Sequence, residues 1–190
     1  MNSAPREPKQ RLFFALWPEA ADREALVAAT ASAVRHCGGQ PVAASNLHVT
    51  LAFLGSVAQT RVPQLRDIAA TCAADLVALA PVPLRFAQLE HWPRQQILCA
   101  VTADEPATPA LLANGLKDAA AAGGFAPDLK PFRTHVTVAR KVLRFQALSF
   151  TPIKWCFERF ALIDSRTERR GPVYRVVEFF PLVKGAKARE

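Results

Sequence analysis

Two copies of one short pattern carry the side chains best suited to chemistry. His48-Val49-Thr50-Leu51 and His135-Val136-Thr137-Val138 each set an imidazole two residues before a hydroxyl, and the two histidines stand 87 residues apart (135 − 48) in a chain of 190. Two imidazoles and two hydroxyls suit displacement at a phosphodiester. Histidine titrates near neutrality, so a neutral ring can take a proton from attacking water while a protonated ring gives one to the departing oxygen. The threonine hydroxyls can hold non-bridging oxygens, and nearby arginines can offset their charge. Such a set requires no metal ion and no organic cofactor.

Other chemistries find less in the chain. A zinc site takes three or four His, Cys, Asp or Glu ligands, and no carboxylate or thiol stands at motif spacing beside either histidine. There is no G-x-S-x-G elbow for a nucleophilic serine. A phosphate loop of the type G-x-x-x-x-G-K-S/T and a G-x-G-x-x-G fingerprint are also missing. His36, at the end of an expected helix, and His91, beside Trp92, have no comparable hydroxyl partner and read as structural or surface residues.

The elements that position the pairs follow from alternation. Leu47, Val49, Leu51 and Phe53 fall on one side of the first copy and His48 and Thr50 on the other, which is the pattern of a half-buried strand. Residues i and i+2 of a strand point the same way, so each imidazole shares a space with its own hydroxyl. The near-half spacing suggests a duplicated architecture, with each pair on the central strand of its own half.

Around these strands the chain punctuates itself clearly. An apolar run over Arg11–Trp17 reads as a buried strand, and Pro18 opens a helix whose apolar side is Val27, Ala31 and Val34. A second helix follows Gly55, with Val62, Leu65, Ile68, Cys72 and Leu76 at helical spacing, and Pro81 and Pro83 end it. Leu84–Trp92 and Gln96–Thr102 read as a hairpin. Pro109 and Gly123-Gly124 bracket a third helix. Beyond the second His-x-Thr strand come a strand over Trp155–Asp164, a basic loop over Ser165–Pro172, and a last strand over Val173–Phe180.

Composition bounds the rest. Fifty-one per cent hydrophobic and 21% charged residues describe an ordinary globular protein. Residues 1–10 read as a flexible leader, 11–183 as a single bilobal domain and 184–190 as a flexible tail. No run is long and apolar enough for a membrane span and no signal peptide is visible, so a cytoplasmic monomer is the simplest expectation. The scattered Cys37, Cys72, Cys99 and Cys156 read as buried small side chains rather than a disulfide framework. Between Lys130 and Arg175 there are 11 basic and 3 acidic residues, a net of +8 that equals the charge of the whole chain. A solvated surface explains such a cluster, and so does an anionic substrate beside the second pair.

With these residues in view, the chain resembles the two-histidine (2H) phosphoesterase superfamily. More closely it resembles the RNA 2′,3′-cyclic phosphodiesterases, also called 2′-5′ RNA ligases. The likeness lies in Arg11–Leu16, Leu47–Gly55, Pro131–Arg140 and Gly171–Leu182, in family order along nearly the whole chain. It implies an α+β, bilobal fold with pseudo-two-fold duplication, in which two antiparallel sheets face a central cleft and helices pack outside. It implies metal-independent hydrolysis of RNA 2′,3′-cyclic phosphate ends to 2′-phosphomonoesters, with His48 as proton donor and His135 as proton acceptor. Thr50 and Thr137 would hold the phosphate, Arg140 would contact phosphate or ribose, and Phe53 and Tyr174 would stack a base or wall the site.

Two points in this likeness bear on geometry. Simple alternation turns Arg140 away from His135, so a bulge or strand end must intervene, and it places Phe53 on the core side. Thr134 stands where many relatives have proline. Two alternatives remain beside the leading function. One is an RNA ligase, or a phosphodiesterase acting on another cyclic or 2′-5′-linked nucleotide. The other is a basic RNA-binding module without turnover.

Overall fold

The computed structural model describes residues 7–76, 80–145, 148–169 and 171–182. Its strands are β1 (Lys9–Leu16), β2 (Gln40–Pro41), β3 (Val49–Ala58), β4 (Val82–Trp92), β5 (Ile97–Thr102), β6 (His135–Arg140), β7 (Ile153–Phe157), β8 (Arg159–Glu168) and β9 (Gly171–Pro181). The helices are α1 (Ala20–His36), α2 (Val62–Asp75) and α3 (Ala107–Ala122). Helix α1 carries Asp22 in its first turn and Arg35 and His36 in its last, matching the helix dipole. Pro63 sits in the first turn of α2, where its missing N–H removes no helical bond. Helix α3 ends at Gly123-Gly124, and Gly124 takes the left-handed φ of 76° that commonly closes a helix.

All strand pairings are antiparallel and form two sheets, ordered β3-β1-β8-β9 and β2-β6-β5-β4-β7. These sheets do not correspond to the two halves of the sequence. The C-terminal hairpin β8-β9 joins β1 and β3, while β2 crosses over to pair with β6. The helices cross in the same way: α1 packs on β6 and β7, and α3 on β3 beside α2. Trp155 of β7, almost wholly buried, donates its indole N–H to the Asp22 carbonyl of α1 at 3.0 Å. Among the described residues no helix is long and apolar enough to cross a membrane.

Several expectations need correction. Strand β3 is the edge of its sheet rather than its centre, and β6 has only the two-residue β2 beyond it. The expected single strand over 155–164 is two strands, β7 and β8, because the chain passes at Glu158 from one sheet to the other. The expected loop over 165–172 is largely the far end of the β8-β9 hairpin, with Arg170 outside the described residues. Lys9 and Gln10 of the expected leader belong to β1, paired with Ala58 and Val57; residues 1–6 and the tail 184–190 lie outside the described residues. Cys37, Cys72 and Cys99 are buried thiols, whereas Cys156 is exposed.

The packing of strand β1 explains why its sequence is apolar without a break from Leu12 to Leu16. Leu12, Phe14 and Leu16 enter the main core under the helices. Phe13 and Ala15 point the other way and join Ala161 and Ile163 in a small separate cluster, flanked by Trp17, Phe53, Tyr174 and Val176. That second cluster floors the cavity described next.

Candidate active site

His48 immediately precedes β3 and His135 opens β6, so each imidazole leaves the start of a strand on a different sheet. The two rings are anchored alike. His48 Nδ1–H donates to the Asn46 carbonyl at 2.7 Å, and His135 Nδ1–H donates to the Arg133 carbonyl at 2.8 Å. In both cases the acceptor lies two residues back along the chain. Because a carbonyl can only accept, the proton of the neutral ring sits on Nδ1 and the lone pair on Nε2. His48 Nε2 then accepts from the Thr50 hydroxyl at 3.0 Å.

One cavity of about 440 Å³ is lined by His48, Thr50, Phe53, His135, Thr137, Arg140 and Tyr174, the seven positions singled out in the sequence. Two of them arrive by a route that alternation does not show. In β3 the pairing with β1 steps from Ala52↔Phe14 to Thr50↔Ala15, leaving Leu51 as an extra residue. In β6 the pairing with β5 steps from Ala139↔Leu98 to Thr137↔Cys99, leaving Val138 extra. The consecutive buried pairs Leu51-Ala52 and Val138-Ala139 are the mark of these bulges. Each bulge follows a site threonine directly, and each returns the residue three positions beyond it to the cavity face. Those residues are Phe53 and Arg140, so Phe53 faces the site rather than the helical core.

The cavity also uses residues that the sequence reading passed over. Around His48, the Trp17 ring stacks at 5.6 Å and Phe13 lies at 5.0 Å, joining Tyr174, one of the seven already named, which meets the imidazole edge-on at 5.2 Å. Around His135, the Trp92 ring lies at 4.6 Å. Trp92 donates its N–H to Glu90 at 3.0 Å, Glu90 receives Arg133 at 2.9 Å, and the Arg133 guanidinium covers Trp92 at 5.2 Å. Arg11 projects into the cavity with its guanidinium 4.9 Å from the Phe53 ring. The unbroken apolar run of β1 was the available signal for Phe13, since a strand buried on both sides needs a cover on each. Trp92 gave no such signal, because its neighbour His135 is remote in sequence. At Thr134 the backbone N–H donates to Glu105 at 3.2 Å, a bond that proline at this position would forgo.

Burial drives the His48 imidazole down to about 4; the Asn46 carbonyl works against this, and the charges of His135, Arg140 and Arg23 add to it. His135 is lowered for the same leading reason, against its bond to the Arg133 carbonyl, with Arg133 and Arg140 lowering it and Glu105 raising it. Both rings are therefore neutral near pH 7 in a cavity with positive neighbours, where an anion would reverse the balance. Behind Thr137, Cys99 is pushed up to about 12 by burial, so its thiol stays protonated 4.0 Å from the hydroxyl.

Two antiparallel sheets that each deliver one His-x-Thr pair to a shared cavity define a two-histidine phosphoesterase. The chain belongs to the 2′-5′ RNA ligase superfamily, whose model matches residues 18–168. The RNA 2′,3′-cyclic phosphodiesterase of Escherichia coli (strain K12) is 33% identical to it over 131 residues, covering 69% of this chain and 72% of the relative. The protein of the same description from Thermus thermophilus is 31% identical over 194 residues, covering 95% of this chain and 93% of the relative. The crystal structure of E. coli LigT complexed with 3′-AMP superposes with a TM-score of 0.79 at 28% identity, covering 93% of this chain and 99% of that one.

Proposed function

We propose that this protein hydrolyses 2′,3′-cyclic phosphodiester ends of RNA to 2′-phosphomonoesters; its E. coli and Thermus relatives are described as RNA 2′,3′-cyclic phosphodiesterases. The observation that carries the reading is the matched pair His48 and His135: two imidazoles on two sheets, each with Nδ1 tied to a backbone carbonyl, line one cavity. In the proposed reaction His135 Nε2 takes a proton from water as the water oxygen bonds to phosphorus. The bond from phosphorus to the 3′ oxygen breaks, and His48 gives that oxygen its proton. The phosphate remains on the 2′ oxygen. The choice of His48 as donor follows the family pattern, because the two anchoring bonds are alike.

Thr50 and Thr137 donate to the non-bridging oxygens, and Arg140 offsets their negative charge. The bound anion favours the protonated form of His48, against the burial that keeps it neutral in the free protein. Phe53 and Tyr174 provide apolar walls on which a ribose or base can rest. The cavity draws on residues from Arg11 to Tyr174 of one chain. That supports the reading of one folded catalytic unit acting as a monomer, since the lining named here needs no residue from a second copy.

An end-group assay tests this directly. RNA ending in a 2′,3′-cyclic phosphate is incubated in chelator, and the product is separated as 2′- or 3′-monoester. The expected product is the 2′-monoester, with turnover lost in His48→Ala and His135→Ala proteins that remain folded. A 3′-monoester would overturn the role assignment, and retained turnover in either variant would overturn the two-histidine mechanism.

A further inference from the structure

Strands β1 and β8 are paired only from Leu12↔Asp164 to Ala15↔Ala161. Beyond that point each strand follows its other neighbour, β1 with β3 as far as Lys9↔Ala58 and β8 with β9 as far as Glu168↔Gly171. The sheet therefore divides into two ribbons. Between them lies a second cavity of about 500 Å³, lined by Lys9, Gln10, Arg11, Ser165, Arg166 and Thr167 among others. Arg11, Ser165 and Thr167 also line the histidine cavity, so the two cavities adjoin.

The charge of this cleft has a definite sign. It presents Lys9, Arg11 and Arg166, and its one lining acid is Asp164, which is buried and bonded to Arg166 at 2.9 Å. Glu7, close by in sequence, is turned to the Thr60 hydroxyl. Among the described residues Lys9 and Arg11 have no carboxylate partner. Beside His135, Arg133 is paired with both Glu90 and Glu105, whereas Arg140 has no carboxylate partner among the described residues. A chain substrate must leave the histidine cavity somewhere, and an RNA strand carries a negative charge at every step. In the cleft, Lys9 and Arg11 are offset by no carboxylate among the described residues, and Arg166 shares its charge with Asp164.

Building on the proposed function, we propose that the cleft between the β3-β1 and β8-β9 ribbons holds the body of the RNA, the nucleotides on the 5′ side of the one that carries the cyclic phosphate. Lys9 and Arg166 contact phosphodiesters there, and Gln10 and the hydroxyls of Ser165 and Thr167 offer neutral hydrogen bonds along the path. The cleft sets affinity for an oligonucleotide and leaves the reaction centre unchanged.

The test compares a 2′,3′-cyclic mononucleotide with a hexanucleotide RNA ending in the same cyclic nucleotide. Lys9→Glu, Arg166→Gln and the double variant are expected to raise KM for the hexanucleotide, about tenfold in the double variant, with kcat near wild type. Mononucleotide kinetics should stay within twofold. The salt dependence of hexanucleotide kcat/KM should flatten by about one unit of log–log slope per lost phosphate contact. Equal losses on both substrates, or no change on either, would overturn the proposal. Lys9 is exposed, so Lys9→Glu can be read even if Arg166→Gln unfolds through loss of the Asp164 pair. A wild-type protein that turns over neither substrate would refute the proposed function instead. The cleft would then be judged by fluorescence anisotropy with a labelled 3′-phosphorylated hexanucleotide, whose affinity must fall in Lys9→Glu for the cleft to stand.

Discussion

Phe53 and Arg140 occupy equivalent places on the two sheets: each stands three residues beyond a site threonine and is returned to the cavity by one bulged residue, Leu51 or Val138. The same local device thus delivers an apolar wall on one side and a cation on the other. The repeat extends beyond the histidines to the backbone irregularity behind them, while the side chain it aims has diverged.

Arg140 is expected to matter through charge and shape together. Arg140→Ala should lower kcat/KM by about 10²- to 10³-fold, the usual effect of losing one group aimed at developing negative charge. Arg140→Lys keeps a charge without the planar fork and should recover only part of the loss. Steady-state kinetics on cyclic phosphate RNA decide the matter, and an alanine variant within threefold of wild type would place Arg140 outside the reaction.

The pH dependence follows from the low values of both imidazoles. Activity requires protonated His48 and neutral His135, and in the free protein His48 lies at about 4 with His135 also below its ordinary value. The profile of kcat/KM, which reports the free protein, should be a bell with both limbs below about 6.5, the ordinary imidazole value. The kcat profile should lie at higher pH, because bound phosphate favours the charged ring. Stability should carry the same signature. His48 is harder to protonate folded than unfolded, so its contribution is fully present above about 6.5 and is lost as pH falls through 4. Urea midpoints of wild type and His48→Asn should therefore converge as pH falls across that window.

Glu90 is expected to act on His135 from a distance, through Arg133 and Trp92. Glu90→Gln keeps an acceptor for the Trp92 N–H but weakens the hold on Arg133, whose carbonyl orients His135 Nδ1 and whose charge lowers the imidazole. The expected result is a kcat loss of a few fold with KM retained and the His135 limb displaced to lower pH. A change in thermal midpoint alone, with the limb unmoved, would reduce Glu90 to a structural role.

Gly39 precedes β2, where Gln40 pairs with Arg140. A Cβ at Gly39 would stand 2.7 Å from the Arg140 carbonyl oxygen and 2.8 Å from a Val142 methyl. Gly39→Ala must therefore displace backbone beside Arg140, with an expected loss of about 1–3 kcal/mol in stability and a tenfold or larger fall in kcat/KM. Thermal denaturation together with kinetics checks it. Unchanged values in both would show that the neighbouring strand yields freely.

Much of the site was legible because its chemistry is local. His48 and Thr50, and likewise His135 and Thr137, reach the same cavity because i and i+2 of a strand share a face, and Val49 and Val136 between them turn to the buried side as a half-buried strand must. Trp92 was not legible, since nothing near it in the chain announces His135. The charge cluster over 130–175 misled in one respect. It suggested a basic lobe around His135, whereas Arg159, Arg166 and Arg175 lie on β8 and β9, in the sheet that β3 and its preceding His48 join.

By itself the sequence determined the two His-x-Thr pairs, the strand character that makes each pair share a face, and the three helices, one before the first pair and two between the pairs. These depend on residue type and on neighbours within a few positions. Only the tertiary structure decided that the sheets exchange strands between the halves, and that Leu51 and Val138 bulge to turn Phe53 and Arg140 inward. It alone decided that β1 and β8 part to leave a basic cleft. Each of these depends on which strand pairs with which and where the register ends, a balance of burial between residues far apart in the chain that no local pattern records.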